Sequence, residues 1–263
     1  MNTKYIAYIF ILLAVNFLAS CEKVIDVKVD DAAKKYVIEG VLTDQPGSCM
    51  VMITQTKGFN EDNDFSGVNN AKVTITDDAG VVSNLTQTGA GLYESSLKGV
   101  PAKTYTLQVN IGGEVSTGVS KMPLPVSLDS LYITEVSFFS TTSKLVNVQY
   151  SDPITSGNNY RFVKFVNRIK NKGIYVQNDD LSNGRVSTAT LFSRDSDISK
   201  GDTVKVEMQC IDPVIYKYWF SLSQSATGET ESASPANPVS NITGGALGYF
   251  SAHTVITKSI IAK

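Results

Sequence analysis

The chain is poor in the side chains that do most enzyme chemistry. Its 263 residues contain one histidine, three cysteines and one tryptophan. Zinc sites usually take two or three His, or closely spaced Cys, and neither pattern is present. A Ser-His-Asp arrangement would have to use His253. That residue lies in Ser251-Ala252-His253-Thr254, between two apolar runs, Ala246 to Ala252 and Thr254 to Ile261, and reads as a partly exposed turn or strand residue. No Gly-rich phosphate loop opens a helix, so no nucleotide site is indicated. Positive charge is also scarce: Lys+Arg number 23 against 25 Asp+Glu, net −2, with no basic run or stripe. Nucleic acid is therefore not expected as a partner, and no cofactor is expected.

Long apolar runs are confined to the start. Lys4 precedes an apolar stretch from Tyr5 to Leu18, broken only by Asn16. It falls short of the roughly 20 residues a comfortable membrane span needs, and it has the form of a secretory signal. The sequence then reads Leu18-Ala19-Ser20-Cys21, which resembles the bacterial lipobox. Small residues there let a signal peptidase reach the backbone, the Cys21 thiol accepts a diacylglycerol, and the freed amine is usually acylated as well. Each buried CH₂ adds about 0.8 kcal/mol to membrane affinity, so several acyl chains anchor a protein without spanning the bilayer. Residues 1–20 are thus expected to be removed, with Cys21 as the lipid attachment site. Residues 21–35 are charged, lack a core pattern and read as a tether. Glu22 and Lys23 loosely resemble the acidic, lysine-containing signal that sends some lipoproteins to the cell surface. The expected location is the outer membrane, on the periplasmic or the extracellular side.

Two cysteines remain, Cys49 and Cys210. An exported protein could pair them, but they fall in what reads as different domains, and two buried free thiols are the simpler expectation.

Beyond the tether the pattern is β throughout. Short alternating runs, Tyr36 to Val41, Cys49 to Thr56, Ala71 to Thr76, Tyr93 to Lys98 and Tyr105 to Val109, are divided by turns such as Asp44-Gln45-Pro46-Gly47 and Asp77-Asp78-Ala79-Gly80. This spacing indicates an antiparallel sandwich over 36–122. The order Ala71-Lys72-Val73-Thr74-Ile75, Asp78-Ala79-Gly80, Gly91-Leu92-Tyr93, Tyr105-Thr106-Leu107 resembles transthyretin-like or carboxypeptidase-regulatory-like sandwiches. In those, the Gly-x-Tyr aromatic packs between the sheets. Lys121-Met122-Pro123-Leu124-Pro125 is stiff and extended, the natural boundary. A second β-rich domain is expected over 126–263, with one short helix near 213–225. Asp212 suits its N-cap and Pro213 its first turn. Ile215, Trp219 and Leu222 form an apolar stripe, for which the strand holding Ala246, Gly248 and Phe250 offers small residues against a bulky indole. On that reading Trp219 is mostly buried. The tract Thr227 to Asn241 reads as a long loop.

Candidate sites are few. Asn60-Glu61-Asp62-Asn63-Asp64 offers oxygen ligands, but the helix-loop calcium motif needs glycine at the sixth position, where this chain has Phe65. A solvated acidic loop is the expectation. Asn241-Ile242-Thr243-Gly244-Gly245-Ala246-Leu247-Gly248-Tyr249-Phe250 lets backbone approach either a ligand or a neighbouring element, and tight packing is the preferred reading. Asp129-Ser130-Leu131 and Asp202-Thr203-Val204 match a short O-glycosylation acceptor pattern. Asp152, Asp179, Asp180 and Asp212 could serve a carboxylate-only hydrolase, which needs two acids roughly 5–9.5 Å apart, yet their spacing selects no pair.

Gly201-Asp202-Thr203-Val204, Ile211-Asp212-Pro213 with Tyr216 and Tyr218-Trp219, Asn237-Pro238 and the closing Ser240 to Ala252 together resemble domain-of-unknown-function family 4249. The resemblance implies an envelope lipoprotein of Gram-negative bacteria, of a kind often encoded beside TonB-dependent outer-membrane receptors, with no catalytic residues to carry over. The expected role is a non-enzymatic accessory binding protein in nutrient uptake, its ligand unspecified. A structural or adhesive envelope module is the alternative, and a carboxylate-dependent glycoside hydrolase the third reading.

Replacing Cys21 by Ala should abolish lipid attachment and move the protein out of the detergent phase in a partition assay. A processed mutant of unchanged mobility that stays with detergent would refute the anchor.

Overall fold

The computed structural model describes residues 33–58, 61–62, 64–138, 141–192, 198–226 and 237–263. The signal segment, Cys21, most of the tether, Asn60, Asn63 and residues 227–236 lie outside them. The described chain is all-β with a single helix, Pro213–Ala226 (α1).

A nine-stranded sheet forms the spine. In spatial order it runs Ile169–Lys170 (β12), Asn159–Val166 (β11), Thr203–Cys210 (β15), Leu247–Ile261 (β17), Tyr36–Thr43 (β1), Cys49–Gln55 (β2), Leu92–Ser95 (β6) and Thr86–Gly89 (β5), with Tyr175–Asn178 (β13) also paired to β11. A five-stranded sheet contains Ile242–Thr243 (β16), Glu114–Lys121 (β8), Thr104–Ile111 (β7), Lys72–Asp77 (β3) and Val82–Asn84 (β4). A three-stranded sheet contains Val186–Leu191 (β14), Thr141–Ser151 (β10) and Leu128–Phe138 (β9).

The two apolar runs at 246–252 and 254–261 are one uninterrupted strand, β17. Its first half lies parallel to β1, Val37 opposite Leu247 through Thr43 opposite His253. Its second half lies antiparallel to β15, Cys210 opposite Thr254 through Thr203 opposite Ile261. Because side chains alternate along a strand, its even-numbered residues all point to one face. Phe250 and Ala252 enter a first core with Ile38, Leu42, Val51 and Leu107. Ile256 and Ile260 pack against a second core built on Val146, Val148, Phe162, Val206 and Met208. Both smaller sheets therefore cover the same side of the spine.

The expected C-terminal unit over 126–263 accordingly needs amendment: Ile242, Ala246, Phe250 and Ala252 belong to the first core. The reason is β1, which pairs with β2 on one side and would be left as an edge without β17 on the other.

Two glycines make this joint possible. Gly248 has φ of 103°, and a Cβ there would come within 2.0 Å of the Ile38 carbonyl oxygen. At Gly118 on β8 a Cβ would meet the Cβ of Phe250 at 2.9 Å. The glycine-rich closing motif thus packs backbone against backbone, as expected of its composition. Tyr93, the aromatic of Gly91-Leu92-Tyr93, is buried in the first core. Its hydroxyl donates to the Val68 carbonyl at 3.0 Å and accepts from the Ala71 N–H at 2.9 Å.

Residues 33–125 made alone should therefore lack a cooperative thermal transition, because their core is open where Phe250 belongs. In the full chain Phe250→Ala should cost about 3–5 kcal/mol, read from the urea midpoint. A folded 33–125 fragment would contradict the shared-strand account.

Candidate functional site

The odd-numbered side of β17 faces away from both cores, and here polar and aromatic side chains collect. Tyr249, Ser251, His253 and Val255 come from β17, Glu39 and Val41 from β1, Met50 and Met52 from β2, Arg161 and Phe165 from β11, and Glu207 and Gln209 from β15. Together with Lys170 and Trp219 they line a cleft of about 660 Å³.

Helix α1 roofs one end. Asp212 caps it as expected: Oδ1 accepts the Val214 N–H at 3.1 Å, while Oδ2 accepts the Lys121 N–H at 2.6 Å and so ties the interdomain connector to the helix. Ile215 is fully buried against Tyr249, with Val41, Tyr216, Tyr218 and Trp219 around them. The expected stripe of Ile215, Trp219 and Leu222 against Ala246, Gly248 and Phe250 is corrected here. The helix packs on the opposite face of β17, the Tyr249 face, and Trp219 is half-buried rather than mostly buried. The ring centroid of Trp219 lies 5.1 Å from that of Tyr249 and 5.3 Å from that of Tyr218, edge-on in both pairs.

Arg161 completes the cluster. Its guanidinium carbon sits 3.7 Å from the Trp219 ring centroid, within cation–π range, and its Nη1 donates to Gln209 Oε1 at 2.9 Å. Burial holds the guanidinium below its usual range, partly offset by Tyr249, Glu207 and Tyr218; an arginine remains charged under such conditions. Burial, with Arg161 close by, also lowers the Lys170 ammonium. The Tyr249 and Tyr218 phenols are raised by burial, Tyr218 to about 12.

His253 departs from expectation. It lies in a strand, β17, one of the two placements expected, but it is buried at 4% exposure rather than partly exposed, and its Nδ1 lies 2.8 Å from Ser251 Oγ. Burial, reinforced by Arg161, pushes its pKa down to about 3. The imidazole is neutral at pH 7, a poor start for acid catalysis.

The other candidate residues lie elsewhere. Glu61 pairs with Lys34 at 2.7 Å and Asp62 with Lys57 at 2.5 Å, while Asp64 is exposed. Asp152 is buried and accepts the Tyr160 hydroxyl. Asp179 accepts the Asn158 N–H at 2.9 Å, and Asp180 accepts from Asn178. With Asp212 at the helix cap, all four aspartates are engaged in the fold. Among the described residues no group of three or more His, Cys, Asp or Glu could hold a metal ion. Cys49 lies in the first core and Cys210 in the second, both as buried free thiols. Thr203 is exposed and Ser130 half-buried. Among the described residues no helix is long and apolar enough to cross a membrane.

Sequence reasoning missed Arg161, Glu39, Glu207 and Lys170. The only local signal was their place on the polar side of alternating strands, which most solvated residues share.

The fold and the cleft define a class: all-β chains of packed sandwiches with one helix. Within it, this chain belongs to the family described as Domain of unknown function (DUF4249), whose profile matches residues 22–259. Comparison with curated protein sequences finds no match. Among solved structures the chain is similar to a two fibronectin type-III domain segment from chicken tenascin, at 7% identity and a TM-score of 0.26, over 87% of this chain and 99% of that one.

Since the folded His253 pKa lies below the unfolded value near 6.5, only the unfolded state takes up this proton as pH falls. Its stability contribution is full above pH 6.5 and is lost toward pH 3. Between pH 7 and 5 this amounts to about 2 kcal/mol. Comparing urea midpoints across that interval, His253→Gln should lose less stability than the wild type; parallel losses would mean that the histidine is not held neutral.

Proposed function

We propose that this chain is a lipid-anchored protein of the outer membrane that acts as a non-catalytic binding partner of a TonB-dependent receptor in nutrient uptake. The observation that carries the reading is the division of labour across the spine. Both cores use one face, and the other keeps a roomy cleft lined by Arg161, Trp219, Tyr249, Glu39 and Lys170. A large cleft with a few convergent polar groups is what ligand sites are made of. The anchor rests on the Leu18-Ala19-Ser20-Cys21 sequence, and the surface-exposed variant of the proposal on Glu22 and Lys23. The receptor partnership comes from what family resemblance implies. A second reading, a spacer or adhesive module, draws on the shared strand β17, which couples the two sandwiches into one continuous sheet.

Affinity purification of the tagged lipoprotein from gently solubilised outer membranes is expected to bring a TonB-dependent receptor with it. Recovery of intact lipoprotein without any receptor would count against the partnership and favour the spacer.

A further inference from the structure

Arg161 is a charge sunk into the cleft with few partners in the fold. Among the described residues it spends one of its five N–H donors, on Gln209. Stacking on Trp219 satisfies the flat face of the guanidinium and leaves its edges, the part that forms paired hydrogen bonds with a carboxylate. Neither core needs it there. Glu207 does not neutralise it in a pair, being held by Lys205 at 2.7 Å. The lining is balanced by residue count, Arg161 and Lys170 against Glu39 and Glu207, but with Glu207 engaged by Lys205 the nearer balance is Arg161 and Lys170 facing Glu39.

The far side of the cleft carries an apolar patch, Val41, Met50 and Met52, beside Thr43, Gln45 and Ser48. In the strand register Val41 lies opposite Met50, and Glu39 opposite Met52. Met50 is 40% exposed, an unusual place for a large apolar side chain on a sheet face. Methionine is flexible and polarisable, suited to packing against guests of irregular shape. Glu39, between Tyr249 and Met52 in the register, bars a second anionic group at that end.

We infer that the cleft binds a small organic monoanion, its carboxylate held by Arg161 and its apolar body lying over Val41, Met50 and Met52. The inference rests on the reading of this chain as a binding protein and names the chemistry of its ligand.

Trp219 is the chain's one tryptophan and touches Arg161, so its fluorescence reports on the site directly. The full-length protein would be titrated with hexanoate, acetate and 1-hexanol, exciting at the red edge to spare the tyrosines. Hexanoate should give a saturable change in emission, with acetate and hexanol each at least about tenfold weaker, since each lacks one half of the recognition. Arg161→Gln should weaken hexanoate about tenfold or more, and Arg161→Lys by a lesser factor, because it keeps the charge and loses the fork. Should Arg161→Gln fail to fold by circular dichroism, Met52→Glu decides from the other end of the cleft: it should abolish hexanoate binding at an unchanged melting temperature. Equal affinity for hexanoate and hexanol, or no saturable response to any probe, would overturn the inference and make Arg161 and Trp219 a purely structural pair. Failure here with a receptor still co-purifying defeats the ligand assignment alone; loss of the receptor with hexanoate still bound defeats only the partnership.

Discussion

Everything in this fold hangs on how the first half of β17 satisfies its backbone. On one side it has β1. On the other, β15 ends opposite Thr254, leaving the N–H and C=O groups of residues 248–252 without a neighbouring strand. Buried backbone groups left unpaired are costly. Side chains take the place of the missing strand. Ser240 Oγ donates to the Gly248 carbonyl at 2.6 Å, and Asn241 binds both the N–H and the carbonyl of Phe250, at 2.9 and 2.8 Å. Ser120 Oγ accepts the Ala252 N–H at 3.0 Å. Asn241 also donates to the Val119 carbonyl, stitching β8 to β17 across the first core. The closing Ser240-Asn241 pair is thus a strand substitute, and it lets one strand serve two sandwiches.

That arrangement determines where a site could arise. With both small sheets on one side of the spine, the alternation of the strands sends every odd residue of β17 to a face that no other sheet covers. Helix α1 shields only part of it. The cluster of Arg161, Trp219 and Tyr249 stands at the edge of that roof, where burial is deep enough to suppress protonation of His253 and open enough to admit a ligand.

Much of the fold was legible from residue order. Alternation located Cys49 to Thr56 within one residue of β2, and Asp212-Pro213 located the start of the helix. The strand β8 was not, because Glu114–Lys121 is rich in Ser, Thr and Gly and carries little apolar signal. Nor could local pattern reveal that Val37 pairs with Leu247, since a parallel partner so distant in sequence leaves no mark on either segment. The cleft was illegible for the same reason. Its residues come from six strands and a helix, each ordinary in its own neighbourhood, and only sheet order brings them together. The helix was placed correctly but packed on the wrong face of its partner strand. Small residues at 246 and 248 suggested room for an indole, whereas Gly248 serves the close approach of the strand to β1.

The shared strand also sets a schedule. The first sandwich gathers most of its core from residues 36–122, yet Ile242, Ala246, Phe250 and Ala252 must arrive before it closes. Contacts this distant in sequence are slow to form. A chain emerging from a ribosome N-terminus first would hold that half open, with apolar strands uncovered, until residues 242–253 had emerged. The first sandwich therefore cannot close until the last strand of the chain has been made.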